Sequence, residues 1–392
     1  MARKQPLTRR SNISTVVRTV ISHGPLPRVE IAEHTALSGA TVTRITAELI
    51  DAGVLQQLGG VPAGRQGAPR MPIDIRAEGF VGLGVHLGQR RANLGLVDLR
   101  GNVIERGEFR YRSTQPRSVM AGVTKCARAL LDRAPEGSQF IGTGIAIGGH
   151  VDSHAGLAVE NTGLGWVDVP LKDLAQRSLP DPVFVQSTWR GLAQAELMLG
   201  RTYRPRDFVL LFVGNLIGGA IVIDGNIRTG AHSAAGDIAH LTVSQRGRRC
   251  AECHQQDCFV TIAGDQAVLH RAAENGLLPA DASDEQLTDF IANTTPSTQR
   301  RLLRPRARAI GEVISDLVDV LDPETVILAD KMYEFAGYQH DLLTGTARRR
   351  RIGLDPSRLL HVAPDAVLPA AIAVLDAFLD NPLATTAARS NS

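Results

Sequence analysis

The residues with the most specific chemistry lie past the middle of the chain: His240, Cys250, Cys253 and Cys258, spaced H-x9-C-x2-C-x4-C. One imidazole and three thiolates make a closed tetrahedral donor set for structural Zn2+, with no position left open for catalysis. Three cysteines this close together point to a metal rather than to disulfides in a reducing compartment. The plainer alternative is three reduced, unligated thiols. His254 lies inside the loop as a competing ligand, and Cys126 sits alone in an apolar helical pattern, where it reads as a buried structural thiol.

A second chemistry is concentrated at the amino terminus. Residues 1–76 hold ten Lys/Arg against five Asp/Glu, whereas the whole chain carries only +3. Such a segment on a near-neutral body suits a polyanion. The elements that would present it can be read from periodicity. Ile13, Val16, Val17, Val20 and Ile21 form the apolar stripe of a helix over Ser11–His23. A second helix starts at Arg28, with Val29, Ile31 and Ala32 expected inward. After the turn Leu37-Ser38-Gly39, a third helix starts near Ala40 with Ser38 as N-cap, buries Val42, Ile45 and Leu49, and ends at Gly53. This is a helix-turn-helix, and it presents Thr41, Thr43 and Arg44 to a major groove, where Arg can pair with guanine and Thr can contact bases or phosphates. Val54–Leu58 and a return strand through Ile73 and Ile75 frame a Gly/Pro-rich tip carrying Arg65 and Arg70. That wing suits a narrow minor groove. The competing readings are a dimerisation or capping module and a flexible linker.

The rest of the chain repeats itself. Residues 81–103 and 208–227 each read as strand, Gly-rich turn, strand and Asp/Gly/Asn turn. Two such units imply similar α/β lobes facing each other across a ligand-sized cleft. Helical patterns follow at Val119–Leu131 and Ala307–Leu321. No apolar run reaches the roughly 20 residues of a membrane span. The basic start is not followed by an apolar stretch, so a cytoplasmic protein without membrane contact is expected. The tail after Asn381 reads as disordered.

The stretch Gly230-Ala231-His232-Ser233-Ala234-Ala235-Gly236-Asp237-Ile238-Ala239-His240, the cysteine cluster, Gly144–Gly149, Asn161-Thr162-Gly163-Leu164-Gly165-Trp166 and Leu321–Leu328 together resemble the ROK family (repressors, open reading frames and kinases). With its amino-terminal helices the chain resembles the repressor branch. The resemblance implies an α/β fold: a winged helix-turn-helix over 1–76, then a two-lobed actin/hexokinase-like (ribonuclease H-like, duplicated) domain over 77–380. Lobe one would take 77–187 plus a last helix at 366–380, lobe two 188–365, and residues 381–392 the tail. It also implies a sugar site at Asn161, Thr162, Ser187, Thr188, Asp237 and His240, with the metal loop shaping one side.

Measured against that family, the kinase machinery is degraded. The Asn-Asp pair that supplies the general base falls at Ser187-Thr188, and threonine is no base near neutral pH. His86 replaces the aspartate of the first phosphate loop, Leu216 replaces a glycine of the second, and Asp330 stands in the last glycine pair, where it would repel phosphate. Val260 replaces a sugar-binding glutamate. Three readings of the cleft stay open: weak sugar binding, a less polar effector, or none. The expected function is a DNA-binding transcriptional regulator of repressor type, with a catalytically inactive kinase-like effector domain. Its partners would be double-stranded operator DNA, a small-molecule effector and further copies of itself, as a homodimer or homotetramer. The alternatives are a glucokinase-like ROK enzyme and a ligand-independent DNA- or protein-binding regulator.

Overall fold

The computed structural model describes residues 4–59, 71–200, 205–349, 355–363 and 365–383. The wing tip with Arg65 and Arg70, and the tail beyond 383, lie outside the described residues.

The chain opens with α1 (Lys4–His23), α2 (Arg28–Thr35) and α3 (Gly39–Asp51). Ile13, Val16, Val17 and Val20 of α1 pack with Val42, Ile45 and Leu49 of α3 in one buried cluster. Ser38 caps α3, its hydroxyl accepting from the Thr41 N–H at 3.2 Å. β1 (Leu55–Gln57) and β2 (Ile73–Ile75) pair antiparallel, Leu55 opposite Ile75, and form the base of the wing. One inward expectation fails: Val29 is 69% exposed, while Ile31 is fully buried. At about 100° per residue the two point to opposite sides of α2, and so short a helix buries a single stripe.

The duplication is visible in the strand order. In the first lobe β3 (Phe80–Leu87), β4 (Arg91–Asp98) and β5 (Val103–Arg110) form an antiparallel meander. After α4 (Pro116–Leu131), β6 (Gln139–Ile147) adds parallel to β3. A separate three-stranded sheet follows, β7 (His150–Asp152), β8 (Leu157–Asn161) and β9 (Trp166–Val169), then α5 (Leu171–Gln176). β10 (Val183–Ser187) completes the order β10-β6-β3-β4-β5. α6 (Thr188–Leu199) leads to the second lobe. There β11 (Phe208–Val213), β12 (Ile217–Ile223) and β13 (Asn226–Arg228) repeat the meander. After α7 (Phe259–Ala263), α8 (Asp265–Glu274), α9 (Asp284–Asn293) and α10 (Pro296–Leu321), β14 (Thr325–Ala329) adds parallel to β11. α11 (Tyr338–Arg349) precedes β15 (Leu359–His361), which gives β13-β12-β11-β14-β15. α10 begins well before the Ala307 expected from periodicity: it is capped by the Thr295 hydroxyl and runs through Pro305. Packing of Leu302 and Leu303 into the lobe core sustains the helix through Pro305.

The last helix, α12 (Leu368–Asp380), returns to the first lobe and packs on β3, β6 and α6. Glycines allow the approach. A Cβ on Gly144 would lie 1.9 Å from the Ala370 carbonyl oxygen, and one on Gly191 2.1 Å from that of Pro369. The head is not tethered loosely to this body. A single buried cluster runs from Val16, Val17 and Ile45 through Phe80 to Ala195 and Met198 of α6 and Ile372, Leu375 and Phe378 of α12. The Phe80 and Phe378 rings meet in a tilted contact, 4.8 Å between centroids and 40° between planes. Around this apolar seam, Arg18 Nη2 reaches Asp376 at 2.6 Å and Asp380 at 2.7 Å, and Arg100 pairs with Asp74.

Candidate functional site

Three places bring together the residues singled out in the sequence. On the head, Thr43 and Arg44 are exposed and Thr41 is half-buried in the first turns of α3. The Ser38 hydroxyl is also 2.8 Å from that of Thr41. Arg44 is held by Glu48 at 3.1 Å, one turn along α3, and Arg9 of α1 meets the same carboxylate at 2.7 Å. An exposed i,i+4 pair of this kind contributes only about 0.3–0.5 kcal/mol, so Arg44 is free to exchange Glu48 for another partner.

The cysteine loop closes on His240. Cys250 Sγ is 3.6 Å from His240 Nδ1, Cys253 Sγ is 3.3 Å from Cys258 Sγ, and the four donor atoms all lie within 4.8 Å of one another. Roughly 2.3 Å metal–sulfur bonds in a tetrahedron need thiolates at about this separation. The donor set therefore fits a tetrahedral metal ion. His254 is not in the group and is exposed. The Gln255 N–H, ahead of the neighbouring Cys258, lowers Cys253 to about 7, while burial raises Cys258 to about 12. The pair gives up one proton readily and holds the second, which a bound dication would displace. Glu252, between Cys250 and Cys253, accepts from His240 Nε2 at 3.0 Å. That contact fixes the ring with Nδ1 toward the sulfurs, as a carboxylate behind a metal-bound histidine does.

The cleft holds two adjoining cavities. The smaller, about 100 Å³, is lined by Thr162, Ser187, Trp189, Arg190, Asp237 and His240 among others. The larger, about 590 Å³, is lined by His86, Asn161, Thr162, Thr188, Asn215 and Leu216 among others. The six residues expected to hold an effector are thus divided between them, with Thr162 on both. Asn161 uses its amide within the fold, donating to the Gly148 carbonyl after β6 at 2.7 Å and accepting from the Leu164 N–H of its own turn at 2.8 Å. Ser187 and Thr188, at the junction of β10 and α6, are buried with hydroxyls that have no partner among the described residues. His86 Nδ1 is likewise buried and unpartnered, and burial lowers this imidazole to about 4, leaving it neutral at pH 7.

The sequence did not anticipate how the lobes are joined. Arg190 of α6 donates to the Val151 carbonyl of the first lobe at 3.2 Å and to the Ser233 carbonyl of the second at 2.5 Å. His150 and the His232 carbonyl meet at 2.8 Å. Arg91 and Arg110 of the first sheet both pair with Glu285 of α9. Asp330 also departs from expectation. Its carboxylate is fully buried, binds Arg306 and accepts from the Tyr338 hydroxyl, so its charge is neutralised inside the second lobe.

A winged helix fused to a duplicated α/β cleft domain with a Cys3His loop defines a class of two-domain regulator built on a kinase fold. Residues 82–350 match the ROK family, to which this chain belongs. It is 31% identical over 336 residues to the transcriptional regulator Rv0485 of Mycobacterium tuberculosis, covering 82% of this chain and 75% of that protein. It is 26% identical over 345 residues to the DNA-binding transcriptional dual regulator NagC of Escherichia coli, covering 84% and 82%. The crystal structure of a ROK-family transcriptional regulator, a homologue of the E. coli MLC protein, shares the fold with a TM-score of 0.77 at 21% identity. That match covers 97% of this chain and 99% of the other, head and body together. The chain is a transcriptional regulator of the ROK family.

Proposed function

We propose that the protein is a ligand-controlled repressor that binds a pseudo-palindromic operator as a two-fold assembly and has no phosphoryl-transfer activity. α3 of each subunit enters a major-groove half-site. There Ser38 and Thr41 address backbone phosphates, Thr43 and Arg44 address base edges, and Arg65 and Arg70 of the wing reach the neighbouring minor groove. The observation that carries this reading is the continuous core between head and body. α6 starts at Thr188 in the cleft and ends, through Ala195 and Met198, in the cluster that also holds α1 and α12. A ligand that favours one cleft geometry over another biases the head through these packed helices, to the extent of its differential affinity.

The catalytic reading lacks a base: at the position where a kinase needs a carboxylate stands Thr188, with Ser187 before it. Asp265, a carboxylate lining the larger cavity, is bound to Arg306 at 2.8 Å and Lys331 at 2.9 Å. His240, Cys250, Cys253 and Cys258 would hold one structural Zn2+, tying the loop after the sugar-site segment to α7. The protein would work in the cytoplasm, where its DNA is.

Genome-wide immunoprecipitation of bound DNA tests the proposal, with Thr43→Ala/Arg44→Ala as the control. A few sharp palindromic sites, lost in the variant, are expected. Absence of enriched sites from the unaltered protein would overturn operator binding in favour of a protein-interaction role. Elemental analysis of the purified chain should give one zinc per subunit, lost in Cys258→Ser.

A further inference from the structure

We propose that the larger cavity of the cleft takes an amphipathic anion: an apolar ring or chain that ends in a carboxylate, rather than a sugar or a nucleotide. The inference rests on the reading of the cleft as the effector site and names the ligand class.

Size separates the two cavities. At about 590 Å³ the larger is in the range of small-molecule sites, roughly 300–1,000 Å³, and at about 100 Å³ the smaller is well below it. The wall of the larger is apolar: Leu87, Phe212, Leu216, Val260 and Ala267 line it. Its carboxylates are engaged elsewhere. Asp265 is bound to Arg306 and Lys331, and Glu252 to His240 Nε2 at 3.0 Å. A polyhydroxyl ligand would leave hydroxyl donors without acceptors, at about 1–3 kcal/mol for each one buried. A triphosphate would meet the Leu216 side chain at the turn where it needs close backbone approach.

The mouth has the opposite character. Arg248 and Arg249, at the start of the metal loop, line the cavity and are exposed. Arg248 meets Glu274 only at 3.7 Å, with both side chains 65% exposed, and Arg249 uses Nε on the His254 carbonyl. Two guanidinium forks at the rim of an apolar cavity match a single carboxylate. Inside, Thr188 Oγ1, His86 Nδ1 and Asn215 Oδ1 are buried without partners among the described residues. They come from three different elements, and they suit one hydroxyl or amide on the ligand body rather than a ring of hydroxyls.

The test uses the full chain and 8-anilinonaphthalene-1-sulfonate, an apolar anion that fluoresces when shielded from water. Saturable enhancement is expected. 4-Phenylbutyrate should displace the probe at concentrations at least tenfold below those needed with 4-phenylbutanol or glucose. Arg248→Ala/Arg249→Ala should weaken phenylbutyrate at least fivefold with an unchanged melting temperature, and Leu216→Trp should abolish probe binding by filling the cavity. Equal displacement by the alcohol, displacement by glucose, no displacement by phenylbutyrate, or unaltered probe binding in Leu216→Trp would overturn the ligand class. Binding to an immunoprecipitated operator, measured on the same preparations, separates the two failures. If operator binding holds while phenylbutyrate fails, only the ligand class falls. If operator binding is absent, the regulator reading falls.

Discussion

Two charged clusters, each centred on one arginine, are built in opposite ways. Arg306 is fully buried in the second lobe. Its N–H groups donate to Asp330 Oδ2 at 3.1 Å and Oδ1 at 2.6 Å, to Asp265 at 2.8 Å, and to the carbonyls of Ala263 and Val213 at 2.7 and 3.0 Å. All five N–H groups of a guanidinium are thereby satisfied. Although burial opposes the charge, Asp330 and Asp265 hold Arg306 well above its ordinary value. Arg18, at the seam between head and body, is one-third exposed, and its partner Asp380 is half exposed. The first cluster pins the ends of β11, β14, α7 and α8 beneath the cleft and leaves the floor no freedom. The second seals a joint whose electrostatics water can screen. A regulator that transmits cleft geometry needs a rigid floor and a yielding seam.

The sharpest way to break this contrast is Arg306→Ala. It leaves Asp265 and Asp330 buried opposite an empty space, and removal of one partner from such a network costs roughly 3–5 kcal/mol. Urea unfolding should show that loss. A change under about 1 kcal/mol would mean that water enters the floor and that the cluster is no more rigid than the seam.

The cleft also stores a pH response. His86 is lowered from its ordinary 6.5 to about 4 by burial, so the unfolded chain takes up a proton that the fold refuses. Stability from this group is complete above about pH 6.5 and falls as pH drops toward 4, by roughly 3 kcal/mol at most. Denaturant midpoints of the unaltered chain and His86→Gln, compared at pH 7 and 5, should show the variant losing less. Parallel losses would mean that His86 takes its proton within the fold.

These expectations show what the sequence reveals and what it hides. The head was legible almost residue by residue, because a 3.6-residue stripe and a cap are local signals: Ser38, Val42, Ile45 and Leu49 all sit as periodicity requires. Val29 escaped because a two-turn helix gives too few residues to set the phase. The duplication was legible through its glycine turns, but the helix expected from Ala307 starts at Pro296, because its first turns are held by tertiary packing of Leu302 and Leu303. In the cleft, Asp330 read as an obstacle to phosphate. Its true partner, Arg306, lies on another element 24 positions away, and nothing local reports such a pairing. Glu252 on His240 was missed for a different reason: its place between Cys250 and Cys253 was evident, but not the direction of its side chain.

A smaller effect tests the head alone. Ser38→Ala removes the acceptor for the Thr41 N–H, and loss of an N-cap of this type costs about 1 kcal/mol. Ser38→Asp should restore most of the stability while weakening DNA binding, since it adds a negative charge where phosphate would approach. If Ser38→Asp bound DNA as tightly as the unaltered protein, the amino end of α3 would not face the duplex.

The smallest expected change in stability belongs to Arg18→Ala. Exposed and half-exposed ion pairs contribute about 0–1 kcal/mol, so the unfolding midpoint should barely move. Local opening should respond more. Without Arg18, the apolar contacts of α1 with α12 and α6 remain, but the polar rim that excludes water from them is gone. Backbone amides of α1 and α12 should then exchange with deuterium faster, while those of α10 and β14 around Arg306 keep their rates. Uniform acceleration would instead mean that the seam belongs to the same cooperative unit as the floor. Head and body would then move as one piece, and a ligand would have to act through the spacing between subunits rather than through the angle of each head.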